Sequence, residues 1–148
     1  MTCYTEHKAM VKEFQETFHQ PVGLSLGEFM DKRNGLRQNL LKEEQAELLD
    51  AMADIAYIAL GTAVECDGRE KAGYIHYMRI RDLATQYFGD YTTFNEAFKR
   101  VHENNMDKIE NGLPLVNGVT VPLDKSKPKG KILKREGWVA PDLSDLVE

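Results

Sequence analysis

Five carboxylates, Glu43, Glu44, Glu47, Asp50 and Asp54, stand within twelve residues of one another in the stretch LLKEEQAELLDAMADIAYIALGTAV, Leu40 to Val64. At ~3.6 residues per turn this stretch reads as one long helix, or as two helices meeting at a kink near Leu49 to Ala53. On a single helix Glu43, Glu47, Asp50 and Asp54 form one acidic stripe. Leu41, Leu48, Met52, Ile55 and Ala59 lie on the other side, with Glu44 on the flank of that apolar face. Carboxylates on an amphipathic helix are ordinarily its solvated face, but from Ile55 to Val64 the sequence is apolar all round, as in a buried helix. Asp54 therefore borders a region where a lone charge is expensive. Clustered carboxylates repel unless a cation neutralises them, and a hard divalent ion such as Mg²⁺ takes carboxylates, water and substrate phosphates as ligands.

Other polar residues are candidates for the same chemistry. Arg37 projects to the flank that carries Glu44; it could form an internal ion pair there or meet a substrate phosphate through its bidentate guanidinium. Between Phe94 and Glu110 the residues Phe94, Ala97, Phe98, Val101 and Ile109 define an apolar stripe on which Asn105 and Lys108 also fall. A buried amide and ammonium need partners, which carboxylates of the central helix or ligand phosphates can supply. Six basic residues lie between Lys125 and Arg135; a basic tail is ordinarily solvated, but Gly130 and Trp138 point to docking, with phosphates or the acidic stripe of a neighbouring subunit as the natural targets.

The elements that must position these groups are legible from periodicity and capping. A first helix is expected over Thr5 to Phe18, with Met10, Val11, Phe14 and Phe18 as core. Ser25 and Glu28 have capping-box spacing, predicting a short helix over Leu26 to Arg33 that Asn34 and Gly35 break. The central helix follows from about Leu36. Arg69 to Phe88 reads as a helix with a broad aromatic surface, His76 lying among its apolar residues. Thr93 and Glu96 again have capping-box spacing and open the helix of Phe94 to Glu110. The sequence VNGV at Val116 to Val119 carries the Asn-Gly signature of a tight hairpin. The expected architecture is all-α, a bundle of four to five helices over residues 1–112, with an irregular basic tail, residues 113–148, packing on the same domain.

With 148 residues the chain is long enough for one domain with a real core. Its net charge of −5 argues against general nucleic-acid binding. No run approaches the ~20 apolar residues of a membrane span, and MTCYTEHK lacks the apolar core of a signal peptide. Cys3 and Cys66 have neither metal-ligand spacing nor a disulfide framework, so a cytoplasmic location is expected. There is no phosphate-binding Gly-rich loop, Ser nucleophile elbow, HExxH or CxxC.

Five short blocks, in order, resemble the all-α nucleoside triphosphate pyrophosphohydrolases of the MazG-like and phosphoribosyl-ATP pyrophosphohydrolase-like superfamily. They are VKEFQETFHQPVG near the start, RQNLLKEEQAE with its EExxE, ADIAYIALGTAV, VHENNMDK, and GKILKREGWVAPDL near the end. The resemblance implies Mg²⁺ or Mn²⁺ held by Glu43, Glu44, Glu47 and Asp54, with Asp50 joining them where ELLD at Glu47 to Asp50 substitutes for the family's ExxD, and with Glu43 or Glu44 in the catalytic role. It implies phosphate or nucleotide contacts from Arg37, Asn105, Lys108, Lys131 and Lys134. Members of that family have a helix, a loop and a second helix between EExxE and the aspartate, whereas LLDAMA alone separates Glu47 from Asp54 here. Ala51 also occupies the place of the glutamate of the usual ExxD. Either the two helices are fused and another subunit completes the ligand set, or a loop is missing from this chain. The expected protein is a homodimer or homotetramer that splits a nucleoside or deoxynucleoside triphosphate into monophosphate and pyrophosphate. The alternative is a non-catalytic helical oligomer that binds nucleotide or a protein partner.

Overall fold

The computed structural model describes residues 3–66, 71–108, 115–116, 119–120, 134 and 137–147. Among them are five α-helices: α1, Cys3–Thr17; α2, Leu26–Lys32; α3, Asn34–Glu65; α4, Lys71–Phe88; and α5, Tyr91–Met106. Leu115–Val116 and Val119–Thr120 pair as a two-residue antiparallel ladder, β1 and β2, with Val116 opposite Val119. Asn117 and Gly118, which would form the turn, lie outside the described residues. A short 3₁₀ helix covers Ser144–Leu146. The architecture is thus all-helical, as the periodicity predicts. Among the described residues no helix is long and apolar enough to cross a membrane.

The chain divides into two compact units, Met1–Leu41 and Lys42–Glu148. That line falls inside α3, away from the change in composition after Gly112. In the first unit the capping box of α2 forms as expected: the Glu28 amide donates to Ser25 Oγ (3.3 Å) and the Ser25 amide donates to Glu28 Oε2 (3.1 Å). The expected core stripe of α1 does not form. Met10, Val11, Phe14 and Phe18 are all more than half exposed, and no residue of α1 is buried. Asn34 and Gly35 begin α3 instead of breaking the chain, so Arg33 alone separates α2 from α3.

The second unit holds the core. Its buried line on α3 is Leu49, Ala53, Ala56 and Ala59, a mainly alanine stripe. Ala56, Ala84 of α4 and Phe94 of α5 form one cluster, edged by Met52, Tyr77, Ile80, Phe88 and Phe98. A second cluster unites Leu49, Ala97, Leu143 and Val147, so the end of the chain contributes to the core. The expected apolar side of α3 needs correction here. Leu41 and Ile55 are about half exposed, and Ile58 and Val64 are 72% and 79% exposed; the run from Ile55 to Val64 is not enclosed within the protomer. Alanine spacing, rather than the largest side chains, selects the inward face. On α4 the outward-facing residues include Tyr74, Ile75, Leu83 and Tyr87, and His76 is exposed rather than a core histidine.

Helix α5 begins a turn earlier than Thr93 and Glu96 suggest. Asp90 is its cap, accepting from the Thr92 and Thr93 amides at 2.8 and 3.0 Å. An aspartate satisfies two orphan amides at once and gains from the positive end of the helix dipole. The Thr92 hydroxyl, which donates to the same carboxylate at 2.6 Å, and next the Thr93 amide hold its carboxyl below the usual range. Glu96 is thereby freed to accept from Arg100.

Candidate functional site

The carboxylates are positioned by the continuity of α3. No break in the helix occurs between Leu49 and Ala53: Asn34–Glu65 is one helix, the first of the two readings that the periodicity leaves open. Glu43, Glu44, Glu47 and Asp54 are exposed, whereas Asp50 is half-buried. Asp50 has its carboxyl pushed above the usual range, first by burial and next by the charge of Asp54, one turn on; the ammonium groups of Lys108 and Lys134 oppose that rise. One end of the acidic stripe therefore lies in the field of two cations.

Helix α5 supplies the opposite wall. The Tyr57 hydroxyl and His102 Nδ1 lie 3.0 Å apart, a hydrogen bond whose direction follows the imidazole tautomer, and their rings stack at 5.9 Å between centroids. Tyr57 also packs on Phe98 at 5.6 Å. Because Tyr57 meets Phe98 and His102 while Asp50 feels Lys108, α3 and α5 run antiparallel along this seam. Asn105 and Lys108 are half-buried near the end of α5, on the side the periodicity assigns them.

The segment after the basic run docks onto this end of α5. The indole N–H of Trp138 donates to the Asn104 carbonyl (3.0 Å), and Asn104 Nδ2 donates to the Val139 carbonyl (2.8 Å). Lys134 Nζ sits 4.1 Å from the Trp138 ring centroid and Lys108 Nζ 5.2 Å from it. Four residues before Asn104, Arg100 grips Asp145 with both terminal nitrogens (2.6 and 2.9 Å) and also donates to the Asp142 carbonyl (3.2 Å). Arg100 is thus not one of the solvated charges of α5.

Among the described residues no three His, Cys, Asp or Glu side chains converge to hold a metal ion. The reason is geometric: Glu47 and Asp54 are separated by roughly 10 Å of helix rise, and one ion cannot span that with direct oxygen bonds of ~2.0–2.6 Å. Neighbouring pairs remain, and Mg²⁺ ordinarily takes only one or two carboxylates with water and phosphate. Asp50 and Asp54, a turn apart and raising the proton affinity of Asp50, fit that requirement in donor type and charge. Arg37 stands exposed in the first unit, and its side chain has no ion pair or hydrogen bond among the described residues. Lys131 lies outside the described residues. Tyr57, His102 and Asn104 received no role from the sequence, although Tyr57 and His102 extend the Asp54 and Asn105 stripes by one turn. No protein-family model matches this chain, and neither a curated protein nor a solved structure matches it.

Proposed function

We propose that this chain is a Mg²⁺-dependent nucleoside or deoxynucleoside triphosphate pyrophosphohydrolase, releasing the monophosphate and pyrophosphate. The observation that carries this reading is the placement of half-buried Asp50, with Asp54 one turn on, in the field of Lys108 and Lys134, which gather over Trp138, since a metal–polyphosphate complex needs both signs of charge in one place. The resemblance of the five sequence blocks to all-α pyrophosphohydrolases supports it independently. Asp50 and Asp54, with Glu47 earlier in the stripe and Glu44 on the flank of the apolar face, are the carboxylates that would hold Mg²⁺ or Mn²⁺, which when bound would neutralise phosphate charge and acidify water. Glu43 and Glu44, both exposed, are the carboxylates available to accept a proton from the attacking water. Lys108, Lys134 and Asn105 orient the phosphates; Lys131, outside the described residues, and Arg37, in the first unit, are candidate nucleotide contacts by the resemblance alone.

The same reading takes the protein as a cytoplasmic homodimer or homotetramer. Its support is the exposure of Ile55, Ile58 and Val64 on α3, and of both free cysteines, Cys3 and Cys66, which suits a reducing compartment. Ile55, Ile58, Ala59 and Thr62 line an open apolar cleft of about 440 Å³ with Ala72, Gly73 and His76 of α4.

The test is pyrophosphate release from the common ribo- and deoxyribonucleoside triphosphates with and without Mg²⁺. Glu44→Gln and Asp54→Asn change charge with little change of shape, and each should lower Mg²⁺-dependent release by at least ~100-fold, about one good transition-state contact. Turnover like that of the parent protein in both variants would refute the assignment. Absence of turnover with every nucleotide would favour the non-catalytic oligomer.

A further inference from the structure

We propose that Trp138 is a positioning residue that stores Lys108 and Lys134 as a ready clamp for the polyphosphate of a metal-bound nucleotide; this rests on the pyrophosphohydrolase reading and adds a residue to it. Both ammonium groups lie over the indole, at 5.2 and 4.1 Å from its centroid. The indole itself is fixed from two directions, by its N–H on the Asn104 carbonyl and by the Asn104 amide on the Val139 carbonyl. Two lysines that reach the site from separate segments, one just beyond α5 and one from the tail, thus share one rigid platform.

Neither lysine forms a salt bridge among the described residues, although Asp50 lies within the field of both. An aromatic face attracts a cation without neutralising it. The positive charge is therefore retained. A charge-assisted hydrogen bond to a phosphate oxygen is stronger than an exposed cation–π contact, so an incoming polyphosphate draws the ammonium groups off the ring. The platform's contribution is to keep two flexible side chains ordered before the anion arrives, which lowers the entropy lost on binding.

Trp138 is the single tryptophan of the chain, so its fluorescence reads this event directly. Titration of the intact protein with inorganic tripolyphosphate and Mg²⁺ should give a saturable change in emission. That change should disappear when Lys108 and Lys134 are both replaced by Gln. Trp138→Leu should raise KM for the hydrolysed nucleotide about tenfold, equivalent to one ordered contact, with kcat within about threefold, and Trp138→Phe, which keeps an aromatic face, should recover part of the loss. An absent tripolyphosphate response in a protein that turns over nucleotides would overturn the clamp and leave the pyrophosphohydrolase reading standing. A lysine-dependent response in a protein that hydrolyses no nucleotide would do the reverse. A Trp138→Leu protein with lowered melting temperature but unchanged KM would show the indole to be structural and refute the proposal.

Discussion

Replacing Leu143 by Ala should destabilise the second unit as a core substitution does, although Leu143 belongs to an irregular segment five residues from the chain end. Leu143 is 2% exposed and clusters with Leu49, Ala97 and Val147. Truncating a buried leucine to alanine removes about 2–5 kcal/mol, combining lost transfer energy with the cavity left behind. The lower half of that range applies, because a short terminal segment can relax towards the void. The loss should be about 2–3 kcal/mol, or ~5–10 °C in melting temperature for a chain of this length. Urea unfolding followed by far-ultraviolet circular dichroism would show a lower midpoint with the slope preserved. Val139→Ala is the control: Val139 lies in the same segment but is 75% exposed, so its loss should stay within about 0.5 kcal/mol. Equal, small effects from the two variants would mean that the segment does not pack into the core.

Two further expectations concern pH. The carboxyl of Asp50 is raised, chiefly by burial and then by Asp54, so the folded chain keeps a proton that the unfolded chain has released. Stability should therefore fall as pH rises from the ordinary carboxylate range through the raised value, and Asp50→Asn should flatten that fall and preserve or raise the melting temperature at neutral pH; a lower neutral-pH melting temperature would contradict it. Asp145 is lowered, first by its hydrogen bonds with Arg100. Its stabilisation is complete above the ordinary carboxylate range and fades as pH falls through the lowered value, so Asp145→Asn should weaken the acid-side slope of the same melting series.

The helices were legible because each carries a local signal. The Ser25–Glu28 capping box and the apolar periods of α4 and α5 needed no tertiary information. What the sequence hid was tertiary. Asp90 outcompetes Thr93 as the cap because a carboxylate satisfies two amides, and pattern matching on Thr-x-x-Glu does not weigh that. The inward face of α3 is set by Ala53, Ala56 and Ala59, small residues with little weight on a hydropathy scale, whereas bulkier Ile55 and Ile58 face out. The burial of Leu143 and Val147 follows from Arg100 gripping Asp145, a contact between residues 45 positions apart that no local pattern announces. At the candidate site, Asp50, Asp54 and Lys108 could be placed from helical periodicity, while Trp138 and Asn104 could not, since their partnership depends on how the tail returns to α5.

In the proposed oligomer, the unbroken course of α3 would set the acidic stripe beside an apolar contact between copies. Glu47, Asp50 and Asp54 lie at helical spacing, and the next position along that line is Ile58, 72% exposed. A second copy that buried Ile58 would come within a turn of Asp54, where side chains four residues apart are ~5–6 Å neighbours. Hydrophobic burial there would favour association, while the carboxylates of two copies, brought together and partly desolvated, would oppose it. Divalent cations screen that repulsion and EDTA restores it, so association should be tighter with Mg²⁺ than with EDTA. Analytical ultracentrifugation at micromolar concentration would measure this. Ile58→Asp should shift the distribution to monomer in either buffer, because it removes apolar area and adds charge at the same point. Asp54→Asn should do the opposite in EDTA, strengthening association by relieving repulsion. A distribution indifferent to Mg²⁺, to EDTA and to both substitutions would separate the stripe from the contact between copies, and the exposed isoleucines would then be surface residues only.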